Sequence, residues 1–136
     1  MNISIDSATP LQLDYLVAVL QKQQIVHDPM GFGDTSEGGY WIWPEQGQYQ
    51  KIGRDYSPTK FYEQSGPIIQ EHRITLNYGT YGIRSDLWFA EKWRNYSAGR
   101  DVMSQHYGES FLIAAMRSYI GSVLQYRFAN VPDNLK

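Results

Sequence analysis

The sequence contains no cysteine, which excludes a disulfide framework, a thiolate nucleophile and any cysteine-ligated metal. Charge is scarce as well: 19% of the 136 residues are charged and the formal net charge is -2. Tracking duplex phosphate takes a basic surface, so duplex nucleic acid is not an expected partner. No run approaches the roughly eighteen apolar residues of a membrane span, and no membrane association is expected. The first residues, Met1-Asn2-Ile3-Ser4-Ile5-Asp6, lack the basic region and long apolar stretch of a signal peptide, so an unexported, soluble protein is expected. A reducing cytoplasm suits a chain without cysteine.

What is plentiful is aromatic. Phe, Trp and Tyr make up 15% of the chain, with eleven Tyr and four Trp. The length fits one domain, residues 1–136, able to bury a sizeable share of its surface without staples.

The local patterns predict an α+β fold, a small antiparallel sheet packed by two longer helices. Thr9-Pro10 opens the first, at about 10–24, with a hydroxyl cap and a proline whose missing N–H costs nothing there. Leu13, Leu16, Val17 and Leu20 then recur at helical spacing. The second, at about 110–125, is capped by Ser110 and carries Leu112, Ile113, Met116, Tyr119, Ile120, Val123 and Leu124 on one face. Its other side offers Ala114, Ser118, Gly121 and Ser122, small enough for a sheet or a second subunit to approach closely. Between the helices, Tyr40 to Trp43 and Tyr49 to Ile52 read as a hairpin, and Ile74 to Tyr78 and Leu87 to Trp93 as further strands. His27-Asp28-Pro29 and Gly31 to Gly39 read as loop. The segment 56–72 reads as a turn and short helices broken at Gly66-Pro67.

Catalytic signatures are missing. The glycine loop Gly31 to Gly39 has no Lys followed by Ser or Thr at phosphate-loop spacing. His27, His72 and His106 are scattered, without metal-ligand spacing. Neither Ser57 nor Ser110 lies in a nucleophile elbow, since one begins a turn and the other caps a helix. Glu63 and Glu71 would share a helix face as an acid/base pair, but Gly66-Pro67 is expected to interrupt that helix. No catalytic residue, metal or cofactor is therefore assigned.

The stronger constellation is aromatic plus cationic. Planar bases stack on indole and phenol faces, and arginine forks hold phosphate oxygens bidentately. Trp41, Trp43, Trp88 and Trp93 lie on predicted strands, with Arg73, Arg84, Lys92, Arg94 and Arg117 near them in sequence. Alternation puts Trp88, Ala90, Lys92 and Arg94 on one face, which reads as the wet one, and Leu87, Phe89, Glu91 and Trp93 on the core face. Ser57, Thr59 and the amides after Pro58 have the makings of an anion pocket, to which Lys60 and Arg73 add charge. Arg117 interrupts a buried helix face, where an unpaired guanidinium is costly, so it must reach a carboxylate such as Glu71, a carbonyl or a ligand phosphate.

Three blocks also resemble a known family: Leu13-Asp14-Tyr15-Leu16-Val17-Ala18, the run from Tyr56-Ser57-Pro58 through Gly66-Pro67-Ile68-Ile69 to Ile74-Thr75-Leu76, and Leu112-Ile113-Ala114-Ala115-Met116-Arg117. Together with Val131-Pro132-Asp133 they resemble the small phage proteins of the NinX type, for which no general activity is established. The chain departs from that pattern at Phe61, where the family usually shows a Trp, and in the longer segments Met30 to Gln48 and Glu91 to Tyr107. The resemblance implies a phage accessory protein in the cytoplasm of an infected bacterium.

The residue inventory leads to a nucleotide binder, a homo-oligomer that sequesters a phosphate-bearing signal such as one made by antiviral defence. Trp88 and Tyr56 would stack, Ser57, Thr59 and Lys60 would contact phosphate or ribose, and Arg73 and Arg117 would supply charge. The alternative is an adaptor or inhibitor that anchors on a host or phage protein through Trp41, Trp43 and Tyr62. A metal-dependent phosphodiesterase ranks third.

Overall fold

Thr9 starts the first helix, α1 (Pro10–Leu20), through a reciprocal capping box. Its hydroxyl accepts from the Gln12 amide at 3.3 Å, and the Gln12 side chain accepts from the Thr9 amide at 2.9 Å, satisfying two donors that a helix start leaves open. The helix stops earlier than its apolar spacing predicts. Lys22 adopts a left-handed conformation (φ 59°), and Gln23 N–H closes back on the Ala18 carbonyl at 3.0 Å, an arrangement that ends a helix. The chain then enters a strand, β2 (Ile25–Asp28), where a loop is expected from sequence.

The computed structural model describes residues 1–29, 38–79, 86–96 and 98–135. Most of the glycine loop Gly31 to Gly39, and Arg84, lie outside the described residues. Among those described, the strands form three small antiparallel sheets and not one. The first pairs β1 (Asn2–Ser4) with β8 (Phe128–Asn130), near the two ends of the chain. The second orders β2, β3 (Gly39–Ile42) and β4 (Gln50–Lys51). The third orders β5 (Thr75–Tyr78), β6 (Trp88–Tyr96) and β7 (Gly99–Gly108), so the ten-residue β7 is a sheet edge. The register shifts between Lys92 and Trp93, a bulge of the sort that raises local twist.

The middle helix, α2 (Tyr62–His72), runs straight through Gly66-Pro67, against the predicted break. Pro67 stands in the second turn, where it forfeits one backbone bond and leaves the rest of the ladder intact. Glu63 and Glu71 are consequently on one continuous helix, both exposed. The helix ends at Arg73, which takes the left-handed conformation (φ 52°).

Ser110 caps the last helix, α3 (Phe111–Leu124), by accepting from the Ile113 amide at 3.2 Å. Its small-residue side receives the third sheet. A Cβ on Gly108 would stand 2.4 Å from the Ala114 amide nitrogen, so only glycine lets β7 come this close. Ser104 in β7 donates to the Ser118 carbonyl at 2.7 Å. Leu13, Val17, Met116 and Ile120 are fully buried where α1 meets α3, each contributing about 1.5–3 kcal/mol by removal from water.

The β6 face read as wet is instead packed on the core, and the face read as core is buried as well at Phe89. Ala90 is wholly buried, and Trp88 packs on the core with its ring 5.6 Å from that of Phe111. Helix α3 covers this side because Ala90 and Gly108 allow close approach. On the other face Phe89 is buried beside the Tyr107 ring at 5.0 Å.

Candidate functional site

The Ser57 turn is closed from within. Asp14 of α1, with no solvent exposure, accepts from the Ser57 hydroxyl at 2.6 Å and from the Thr59 amide at 3.0 Å. Donors aimed at one point make an anion pocket, and here the chain's own carboxylate fills it. Gln64 braces the turn, accepting from the Ser57 amide at 2.6 Å and donating to the Asp55 carbonyl at 2.8 Å. Burial raises the Asp14 carboxyl above its ordinary value, against the lowering effect of these hydrogen bonds and of Lys60. Tyr56 is buried beside this network, and desolvation pushes its hydroxyl upward.

The seven residues singled out from sequence do not converge on one cavity. Tyr56, Ser57 and Thr59 are buried at the turn, with Lys60 exposed and donating to the Gly53 carbonyl at 3.3 Å. Arg73 sits exposed at the end of α2, and Trp88 is packed on Phe111 and 5.1 Å from the Tyr78 ring. Arg117 reaches carbonyls and not Glu71: its guanidinium donates to Tyr107 O at 2.7 Å and Ala8 O at 3.0 Å. It is 7% exposed, and burial lowers its pKa. These bonds tie α3 to the edge strand and to the start of α1.

A different place has the features expected of a binding cleft. Val102 to His106 of the edge strand β7 and Gln125 to Phe128 of the segment that leaves α3 line a cavity of about 570 Å³, with Gly121 of α3 set against the His106 ring. That volume is within the usual range for small-ligand sites. The wall is shaped by local events. Gln125 takes the left-handed conformation (φ 59°) and ends α3, turning Tyr126-Arg127-Phe128 across the sheet edge. Ile5 N–H then bonds the Arg127 carbonyl at 2.9 Å, and Phe128 pairs with Ser4 in the two-stranded sheet. Tyr126 and Phe128 are left 75% and 57% exposed.

Among the described residues no carboxylate lines this cavity, whereas Arg127, Gln105, Gln125 and His106 do. His106 is 6% exposed, and its Nδ1 lies 2.6 Å from Asp6 Oδ1 behind the cleft wall. Its pKa is lowered, chiefly by burial and also by Arg117 and Arg127, although Asp6 opposes the shift. A second cavity of about 830 Å³ shares Gln105 and Arg127 with the first, but Asp6, Asp86 and Glu109 line it. Their carboxylates make it a poorer home for phosphate.

The three family-like blocks meet in space: Asp14 of the first block bonds Ser57 and Thr59 of the second, and Arg117 of the third bonds Ala8, just ahead of the first. A family model described as bacteriophage P22 NinX matches residues 8–122, most of the chain. The chain belongs to the NinX family. No curated protein matches it. The NinX match covers the β7 wall of the cleft and stops short of Gln125 to Phe128. Four of the ten described lining residues therefore lie in sequence that the NinX pattern does not reach.

Sequence reasoning passed over Gln105, Gln125, Tyr126, Arg127 and Phe128. The available signal was the aromatic–arginine–aromatic triplet Tyr126-Arg127-Phe128, directly after the last helix. Nothing local marks it as part of a site, and it is the pairing of β8 with β1 that fixes it beside β7. Among the described residues no group of three His, Asp or Glu side chains could hold a metal ion, and no helix is long and apolar enough to cross a membrane.

Proposed function

We propose that this NinX-family protein binds and sequesters a small phosphate-bearing nucleotide in the cleft between β7 and the Gln125–Phe128 segment. The observation that carries the reading is that Arg127, flanked in sequence by the exposed Tyr126 and Phe128, lines a cavity with no carboxylate among its described lining residues. Tyr126 or Phe128 offers a face for a base, Arg127 a fork for phosphate, and Gln105 and Gln125 amides for the base edge. Binding needs no nucleophile and no metal, so sequestration suits this group of residues better than catalysis does.

In an infected bacterium such a protein would act in the host cytoplasm by lowering the free concentration of a nucleotide signal of antiviral defence. The cleft is open, and a second copy over its mouth would supply the enclosure that tight retention requires. A protein-interaction role is the second reading, favoured by the ring pair Trp43–Tyr49. Its centroids are 4.5 Å apart, and the two residues are 37% and 52% exposed. The metal-dependent phosphodiesterase reading has no support among the described residues.

Mass spectrometry of small molecules released on denaturing the purified protein tests the proposal, after expression with and without an active nucleotide-signalling defence system. An intact nucleotide released from the wild type and absent from Arg127→Ala is the expected result. A nucleotide retained equally by Arg127→Ala removes the cleft from the account. No nucleotide from either protein favours the interaction reading.

A further inference from the structure

The connection between β3 and β4 borders a separate cavity of about 640 Å³, a volume ordinary for a small-ligand site. Gln46, Gln48 and Gln50 line it together with Tyr49, Arg54 and Asp55. Gly47 turns the chain between the first two glutamines at φ 100°, a conformation that residues with a side chain rarely take. Gln50 is anchored in β4, paired with Ile42.

The wall has no net charge to offer a ligand. Among the described lining residues Arg54 is the one cation and Asp55 the one anion, and they meet bidentately, Nε to Oδ1 at 3.0 Å and Nη2 to Oδ2 at 2.9 Å. Asp55 Oδ2 also accepts from the Lys51 amide at 2.9 Å, and the Arg54 guanidinium lies 5.3 Å from the centre of the Trp41 ring. An anionic ligand would find the cation already neutralised, and a cationic ligand the anion. An apolar ligand would strip water from three carboxamides without replacing its hydrogen bonds, which is costly. A neutral molecule rich in hydroxyls avoids both losses, because a hydroxyl donates to a carboxamide oxygen and accepts from a carboxamide N–H.

The ring adds a second requirement. Tyr49 is half-exposed and is backed by Trp43, with ring centres 4.5 Å apart. An aromatic ring presents a negative face, against which the weakly positive C–H groups on one side of a pyranose ring pack well. Hydroxyls around the rim and an apolar C–H face on the same molecule are the chemistry of a sugar.

We infer that Tyr49 and the carboxamides of Gln46, Gln48 and Gln50 form a binding site for a neutral saccharide. The site shares no described lining residue with the nucleotide cleft, so it does not rest on the nucleotide reading.

Backbone amide NMR of the isotope-labelled full chain, titrated with neutral di- and trisaccharides of glucose, galactose, mannose and N-acetylglucosamine, tests the inference. At least one sugar should shift Gln46, Gln48 to Gln50 and Arg54 saturably, with a Kd of about 1 mM or tighter. Tyr49→Ala should weaken this binding about tenfold or more, whereas Tyr49→Phe, which keeps the ring, should retain most of it. Both variants replace an exposed side chain and should fold as the wild type does. Gln48→Ala should weaken binding about fivefold, the scale of one hydrogen bond. The absence of a saturable shift with every sugar overturns the inference. So does binding that survives Tyr49→Ala intact, and so does binding that is lost in Arg127→Ala, which would put the sugar in the other cleft.

Discussion

Two regions of the molecule hold hydroxyls or amides, a ring and a cation close together, and they are used in opposite ways. At the Ser57 turn the Ser57 hydroxyl and the Thr59 amide both aim at Asp14, which is buried and ionisable and comes from a helix more than forty residues away in sequence. At the β7 edge the carboxylate is behind the wall: Asp6 holds His106 from outside the cleft, and the described residues that line the cleft include no carboxylate. The first arrangement consumes its own anion and is part of the core. The second leaves the Arg127 cation on the wall of an open cleft. What separates a structural polar network from a binding site is thus the source of the counter-charge, and that is a matter of tertiary placement.

The largest effect is expected where the network is closed. Asp14→Ala strands the Ser57 hydroxyl and the Thr59 amide in the interior and should cost about 3 kcal/mol or more. Asp14→Asn can still accept from Thr59 and should cost only about 1 kcal/mol. Urea unfolding of the two variants measures the gap; equal losses would mean that charge, and not hydrogen bonding, is what the turn requires.

Next comes Arg117→Met, which leaves the Tyr107 and Ala8 carbonyls without the guanidinium and should cost about 2 kcal/mol. Its ligand affinity should change little once the protein is folded, in contrast to Arg127→Ala. A pronounced loss of affinity with normal stability would instead give Arg117 a direct role.

A smaller effect concerns pH. His72 and His106 both have lowered pKa values, chiefly through burial. The unfolded chain takes up protons at these residues before the native one does, so stability falls as pH drops below about 6.5 and levels off once the native histidines titrate. Asp14 acts in the opposite sense at lower pH, since its raised carboxyl is more easily protonated when folded. Asp6→Ala removes an interaction that raises His106, and should steepen the loss between about pH 6.5 and 5. A urea midpoint flat across that range would show that His106 is not buried neutral.

Arg127→Ala is expected to have the smallest effect on stability, within about 0.5 kcal/mol, because its side chain lies on the surface of a cleft. Its effect should be on ligand retention alone.

These contrasts also mark how far the sequence could be read. Thr9-Pro10 and Ser110 announce their helices by capping chemistry that acts over three or four residues, and α3 is placed within a residue at each end. Pro67 misleads because α2 continues past it despite the backbone bond lost in its second turn, an outcome that the local pattern does not encode. The β6 face read as wet is covered because the small residues of α3 draw it inward, a fact about a helix some twenty residues further on. Ser57, Thr59 and Arg117 were legible as residues needing a polar partner; that the partners are Asp14 and two carbonyls required the fold. The cleft itself depends on β8 pairing with β1 across nearly the whole chain, which no local pattern encodes.

The most direct test of the contrast is a backbone amide NMR titration of the isotope-labelled protein with the nucleotide that mass spectrometry identifies. Shifts confined to Gln105, His106 and Gln125 to Phe128, with Ser57 and Thr59 unmoved, are the predicted result. Shifts centred on Ser57, Thr59 and Lys60, with the β7 edge silent, would contradict it, because the ligand would then have displaced the carboxylate that the fold supplies.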